Sequence, residues 1–120
     1  MRSRDVLTYA YEQVAETLTG TVEGLGPDDL ARRVGPGANP IGWLAWHLLR
    51  VQDDHVAEVA GTEQVWTVEF LRGLSDDDLD RVVDTNWDPP VTLGVRLVSV
   101  LSDDLQHLGQ AAYVRGLLGR

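Results

Sequence analysis

The chain has 120 residues, 43% of them apolar, which suffices for one domain spanning residues 1–120 and is too short for two. A formal charge of −9 opposes binding to nucleic acid, because that association depends on basic side chains neutralising phosphates. Cysteine is absent, which removes disulfides, thiolate ligands and a cysteine nucleophile. No apolar run reaches membrane-spanning length and no signal-peptide core follows Met1, so a cytoplasmic protein with no membrane partner is expected.

From Arg4 to about Gly24 the apolar positions Val6, Leu7, Ala10, Val14, Leu18, Val22 and Leu25 recur at three- and four-residue steps, which predicts an amphipathic first helix. Asn39 and Pro40 read as an N-cap and a proline at the first helical position. They open a second helix from Ile41 to Ala60, stopped by Gly61. A third helical stretch runs from Val68 to Leu74, followed by Ser75 to Leu79 as a cap with a further short turn. The last helix is expected from Pro90 or Val91 to Leu118, again opened by proline, and is the longest element. The fold class is therefore all-α.

The segment Gly24 to Val34 (GLGPDDLARRV) echoes Gly73 to Val83 (GLSDDDLDRVV), and each precedes an irregular stretch and a proline-opened helix. A duplicated helix pair is the economical reading, with chance similarity of two acidic cap segments as its alternative. If a two-fold relates the pairs, the second and third helices run parallel, and parallel neighbours need a connection of about helix length, roughly 30 Å. The few residues from Gly61 to Trp66 barely reach, at about 3.5 Å each when extended. We therefore expect that a crossover segment near Trp66 and Thr67 is absent, or that the domain is a reduced one.

Asp103 and His107 stand four residues apart on the last helix, so their side chains lie one turn apart on one face and can grip the same ion. His47 lies mid-helix between Trp46 and Leu48, in a stretch too apolar for a solvated surface. Two imidazoles and one carboxylate leave coordination positions open and suit Zn, Ni, Fe or Mn better than Ca or Mg. The bland alternatives are an exposed Asp–His pair and a hydrogen-bonded core histidine. His55, about 80° round the helix from His47, reads as a surface or rim residue. Asp54 shares the His47 face two turns on, where it either supports the site or is solvated. The four tryptophans are assigned mostly to the core, with Trp43, Trp46 and Trp87 as candidate pocket lining.

Asn39 to Arg50 (NPIGWLAWHLLR), Gln52 to His55 (QDDH) and Leu105 to Gln110 (LQHLGQ) together resemble the DinB/YfiT-like superfamily of metalloenzymes over nearly the whole chain. That resemblance implies a four-helix bundle of up-down-down-up topology with a long crossover between its second and third helices. It also implies a divalent metal held by a histidine on the second helix and a His-x-x-x-His pair on the fourth. His47 and His107 match that pattern. Asp103 stands where the common pattern has the first histidine of the pair; the branch similar to mycothiol-dependent maleylpyruvate isomerase has a carboxylate there.

On the resemblance, the expected activity is a thiol-dependent transferase or isomerase. Its metal activates a low-molecular-weight thiol such as mycothiol or bacillithiol toward a small electrophilic substrate, with Asp54 or His55 assisting proton transfer. The alternatives are a metal-dependent hydrolase and a non-catalytic metal-binding dimerisation bundle. A homodimer is expected under each.

Overall fold

The computed structural model describes residues 1–63 and 66–120. Its elements in chain order are α1 (Ser3–Val22), α2 (Pro27–Ala31), α3 (Ile41–Ala60), α4 (Thr67–Arg72), α5 (Asp76–Leu79), β1 (Val82–Asp84), β2 (Val91–Thr92) and α6 (Leu93–Leu118). Among the described residues the chain is all-α apart from one two-stranded antiparallel sheet. Among the described residues no helix is long and apolar enough to cross a membrane.

Three long helices build the core because each buries one stripe at helical spacing. On α6 the stripe is Leu93, Leu97, Val100, Asp104, Leu108, Ala111 and Val114; on α3 it is Ile41, Leu44, Leu48, Val56, Ala57 and Val59. The order of contacts gives the helix directions. Val56 packs in one cluster with Leu93, Leu97 and Val100, Leu48 with Leu108, and Ile41 with Ala111 and Val114, so α3 runs antiparallel to α6. Tyr11, Val14 and Val22 meet these same three levels in rising order, so α1 runs alongside α6 in the same direction. The C-terminal end of α1 is clamped to α6 by the Arg115 guanidinium, which donates to the carbonyls of Thr21 at 2.8 Å and Glu23 at 2.7 Å. A cation there also suits the negative end of the α1 dipole.

Several local expectations are met and others are shifted. Gly61 ends α3 in the left-handed conformation at φ 72°, where a side chain would be strained. Ser75 accepts a hydrogen bond from the Asp78 amide and the Asp78 carboxylate accepts one from Ser75, a capping box that starts α5. At α3 the cap sits one residue later than read: Pro40 is the N-cap and its carbonyl accepts the first helical bond, from Leu44 at 3.0 Å.

The last helix is not opened by proline. Leu93 donates to the Arg81 carbonyl at 2.8 Å, which draws Val91 and Thr92 into a strand beside β1, and Thr92 caps α6 by accepting from the Val95 amide. In α1, Val6 is exposed and Tyr11 takes its place in the core, its hydroxyl donating to the Leu97 carbonyl at 2.7 Å. The fourth long element of a four-helix bundle is reduced to the six residues of α4. The junction at Trp66 and Thr67, where a crossover is expected, adjoins residues 64 and 65, which lie outside the described residues.

The internal echo has a structural counterpart. A methyl added to Gly42, the second residue of α3, would lie 3.0 Å from the Leu30 carbonyl oxygen on α2. One added to Gly94, the second residue of α6, would lie 3.2 Å from the Leu79 carbonyl oxygen on α5. Leu30 and Leu79 hold the same place in the two echoing segments, and Ile41 and Leu93, which precede the glycines, are both fully buried. Each half of the chain thus uses a short acidic helix as a wedge against the glycine that begins its long helix.

Gly42→Ala is expected to cost about 1 to 2 kcal/mol by overpacking. Gly20→Ala, where nothing lies within 4 Å, is expected to gain up to about 1 kcal/mol of helix propensity. Denaturant melts of both variants check this, and a Gly42→Ala protein as stable as its parent would contradict the close approach of α2 to α3.

Candidate metal centre

The antiparallel register of α3 and α6 brings His47 opposite His107. Their rings lie at right angles with centroids 4.6 Å apart. One turn back along α6, an Asp103 carboxylate oxygen lies 3.4 Å from Nε2 of His107. Ligand atoms of His47, Asp103 and His107 all fall within 4.8 Å of one another, and all three residues are half-buried. The structure therefore brings together the three residues read from the sequence, in a cluster that could hold a metal ion.

Two neighbours orient the imidazoles. Trp43, one turn before His47, stacks on its ring at 4.6 Å and 9°, and presents an edge to His107. Gln110, one turn after His107, has its side-chain oxygen 3.0 Å from Nδ1 of that histidine. With Nδ1–H donating to Gln110, Nε2 keeps its lone pair and faces Asp103 and His47. Such an outer hydrogen bond commonly sets the tautomer of a metal-binding histidine. Neither role was read from the sequence, although both residues stand three or four positions from a candidate ligand, the spacing of helical neighbours.

The donor set fits a divalent ion. Two ligands bound tetrahedrally at about 2.0–2.1 Å stand about 3.3 Å apart, and the observed Asp103–His107 separation of 3.4 Å already matches that span. The second Asp103 oxygen is buried and has no hydrogen-bond partner among the described residues. A buried carboxylate oxygen left in that condition is costly without a cation or donor to satisfy it.

The other sequence-read residues fall elsewhere. Asp54 pairs with Arg50 at 3.5 Å, with both side chains more than half exposed, so it is solvated. His55 lies part-buried, its Nδ1 2.9 Å from the Val51 carbonyl oxygen. The tryptophans depart from the core assignment: Trp43, Trp46, Trp66 and Trp87 are 40%, 59%, 73% and 66% exposed. Their positions explain this, since Trp43 and Trp46 flank the buried Leu44 on α3 and Trp66 and Trp87 lie outside the helices.

Asp104, unremarked in the sequence, is fully buried on the core stripe of α6, and neither oxygen has a partner among the described residues. Burial, followed by the charges of Asp103 and Asp53, pushes its carboxyl up to about 7. Burial, and secondarily the Asp104 charge, likewise raises the Tyr11 hydroxyl above its usual range.

An acid whose folded pKa is raised costs stability where the unfolded chain is ionised and the folded chain is not. For Asp104 that cost sets in above about pH 4, the unfolded carboxyl value, and is complete once pH passes the folded value of about 7. The metal-free protein should therefore lose stability as pH rises through this window. Asp104→Asn should flatten that loss and gain a few kcal/mol at about pH 8. Chemical melts across pH check this, and parallel pH profiles for the two proteins would contradict it.

Residues 10–67 match the family model described as the DinB superfamily. A crystal structure described as a conserved protein from Enterococcus faecalis superposes with a TM-score of 0.88 at 21% identity, covering 100% of this chain and 99% of that one. No curated protein matches the sequence. The family match therefore spans just under half of the chain, from within α1 to the start of α4, and the structural likeness shows a fold shared along the whole chain.

Proposed function

We propose that this protein is a divalent-metal-dependent thiol transferase or isomerase, acting with an imported low-molecular-weight thiol such as mycothiol or bacillithiol on a small electrophile. The observation that carries the reading is the convergence of His47, Asp103 and His107 into an open set of two imidazoles and one carboxylate. Such a set leaves room for a ligand from solution. A bound ion of the Zn, Ni, Fe or Mn type supplies Lewis acidity that lowers the pKa of a coordinated thiol.

The chain's own part is positional. Gln110 fixes the proton of His107 on Nδ1, and Trp43 holds the plane of the His47 ring. Asp103 adds one negative charge, so the donor set only partly neutralises a divalent cation and an anionic sulfur remains favoured there. With no cysteine in the chain, the nucleophilic sulfur has to be brought in, which agrees with an open position rather than a closed structural site.

The test is a conjugation assay with mycothiol or bacillithiol and chlorodinitrobenzene as a generic electrophile. Turnover should require added Zn or Ni and should fall to the uncatalysed rate in His47→Ala. Metal-bound protein that gives no turnover with either thiol would overturn the thiol reading.

A further inference from the structure

Beyond the metal-binding cluster, α3 and α6 carry a second set of facing residues at the same spacing. His47, Val51 and His55 follow one another at four-residue steps on α3; Ser99, Asp103 and His107 do so on α6. Because the helices are antiparallel, one end of this ladder pairs His47 with His107, and the other brings His55 to the level of Ser99. Val51, His55, Ser99 and Asp103 all line one open cavity of about 410 Å³, which Trp87, Asp84 and Arg96 also line. That volume is within the usual range for a small-molecule site. Asp103 belongs both to this cavity and to the metal-binding cluster, so the two are adjoining chambers.

The cavity walls are fixed by their own contacts. Arg96 pairs with Asp84 at 3.2 Å, both side chains being about four-fifths buried, and the Asn86 amide donates to the other Asp84 oxygen at 2.9 Å. This ties the loop carrying Trp87 to α6. His55 is oriented by the contact of Nδ1 with the Val51 carbonyl. A carbonyl oxygen can only accept, so Nδ1 carries the proton and Nε2 is the atom left for a ligand.

We propose that this cavity seats the electrophilic substrate of the adjoining metal centre, its flat or apolar part against Trp87, and that His55 protonates the substrate's departing or developing oxyanion. The inference rests on the thiol-transfer reading above and adds to it the location of the second substrate and the acid that serves it. Along the helices Ser99 lies four residues, about 6 Å, from the level of Asp103, and His55 lies eight residues, about 12 Å, from that of His47, so a small molecule in the cavity reaches from beside the metal-binding cluster to His55.

The step balances. The thiol releases its proton to water, the sulfur pair forms the new S–C bond, and the pair of the broken C–O bond stays on oxygen. His55, protonated from the same water, gives its Nε2 proton to that oxygen, so a thiol and an epoxide yield a thioether alcohol with no other reactant.

The role predicts a dependence on the leaving group. In zinc-loaded protein with mycothiol or bacillithiol, His55→Gln should cut the rate with styrene oxide about a hundredfold, the scale of general acid catalysis. The same variant should cut the rate with chlorodinitrobenzene at least about tenfold less than that with styrene oxide, because chloride departs without a proton and only the packing of His55 in the cavity is lost. The chain has only three histidines, so ring resonances provide a readout apart from activity. Zinc should shift those of His47 and His107. The thioether alcohol of N-acetylcysteine and styrene oxide should then shift those of His55 and the indole of Trp87.

Equal losses with both electrophiles, or no loss with either, would overturn the role of His55. A thioether that leaves the His55 and Trp87 signals unmoved would overturn the cavity assignment while the metal centre stands. Zinc that moves neither His47 nor His107 would remove the centre itself, and this inference with it.

Discussion

The seam between α3 and α6 is the constraint on which the rest of this molecule depends. His47 is useful only because α6 returns past it antiparallel and in register, bringing His107 within ring contact and Asp103 one turn away. That register is set at the helix starts by two equivalent wedges: Leu30 of α2 against Gly42, and Leu79 of α5 against Gly94. The clusters along the seam, from Ile41 with Val114 to Val56 with Leu97, then leave little freedom to slide. The short acidic helices thereby position side chains they do not touch.

Polar burial is concentrated on the same seam. Asp104 occupies a core position on α6 with neither oxygen paired among the described residues, and Asp103 beside it has one oxygen in the same condition. An apolar residue at position 104 would serve packing alone better, since an unpaired buried carboxyl is costly. The cost is partly relieved by holding the proton, as its raised pKa implies. Adjacent carboxyls with unsatisfied oxygens make the interior of the bundle locally attractive to a cation.

Much of this was legible in the sequence, and the reasons are local. The limits of α3 followed from Pro40 and Gly61, and α1 and α6 from their apolar spacing. The clustering of His47, Asp103 and His107 matches the reading made from the Asp103–His107 spacing together with the family resemblance, with His47 on another helix. The small sheet was not legible, because a proline pair before an apolar run reads as a helix start, and it is pairing with Val82 and Asp84, with the Leu93 amide on the Arg81 carbonyl, that makes Val91 and Thr92 a strand. Tryptophan exposure was misread because burial was inferred from residue type, whereas Trp43 and Trp46 fall beside the buried stripe of α3. Asp104 could have been found, since it interrupts an otherwise apolar three- and four-residue spacing. His55, expected as a surface or rim residue from its angle to His47, is half-buried and lines an open cavity to which the facing helix contributes Ser99 and Asp103.

The central claim is that His47, Asp103 and His107 act together as one metal site. Metal analysis of the purified protein after supply of Zn or Ni, set beside a variant carrying both His47→Ala and His107→Ala, tests it most directly. Near-stoichiometric metal in the parent protein and its loss from a variant that remains folded is the predicted result. A parent protein that binds no metal, or a double variant that binds as much as the parent, would contradict the account.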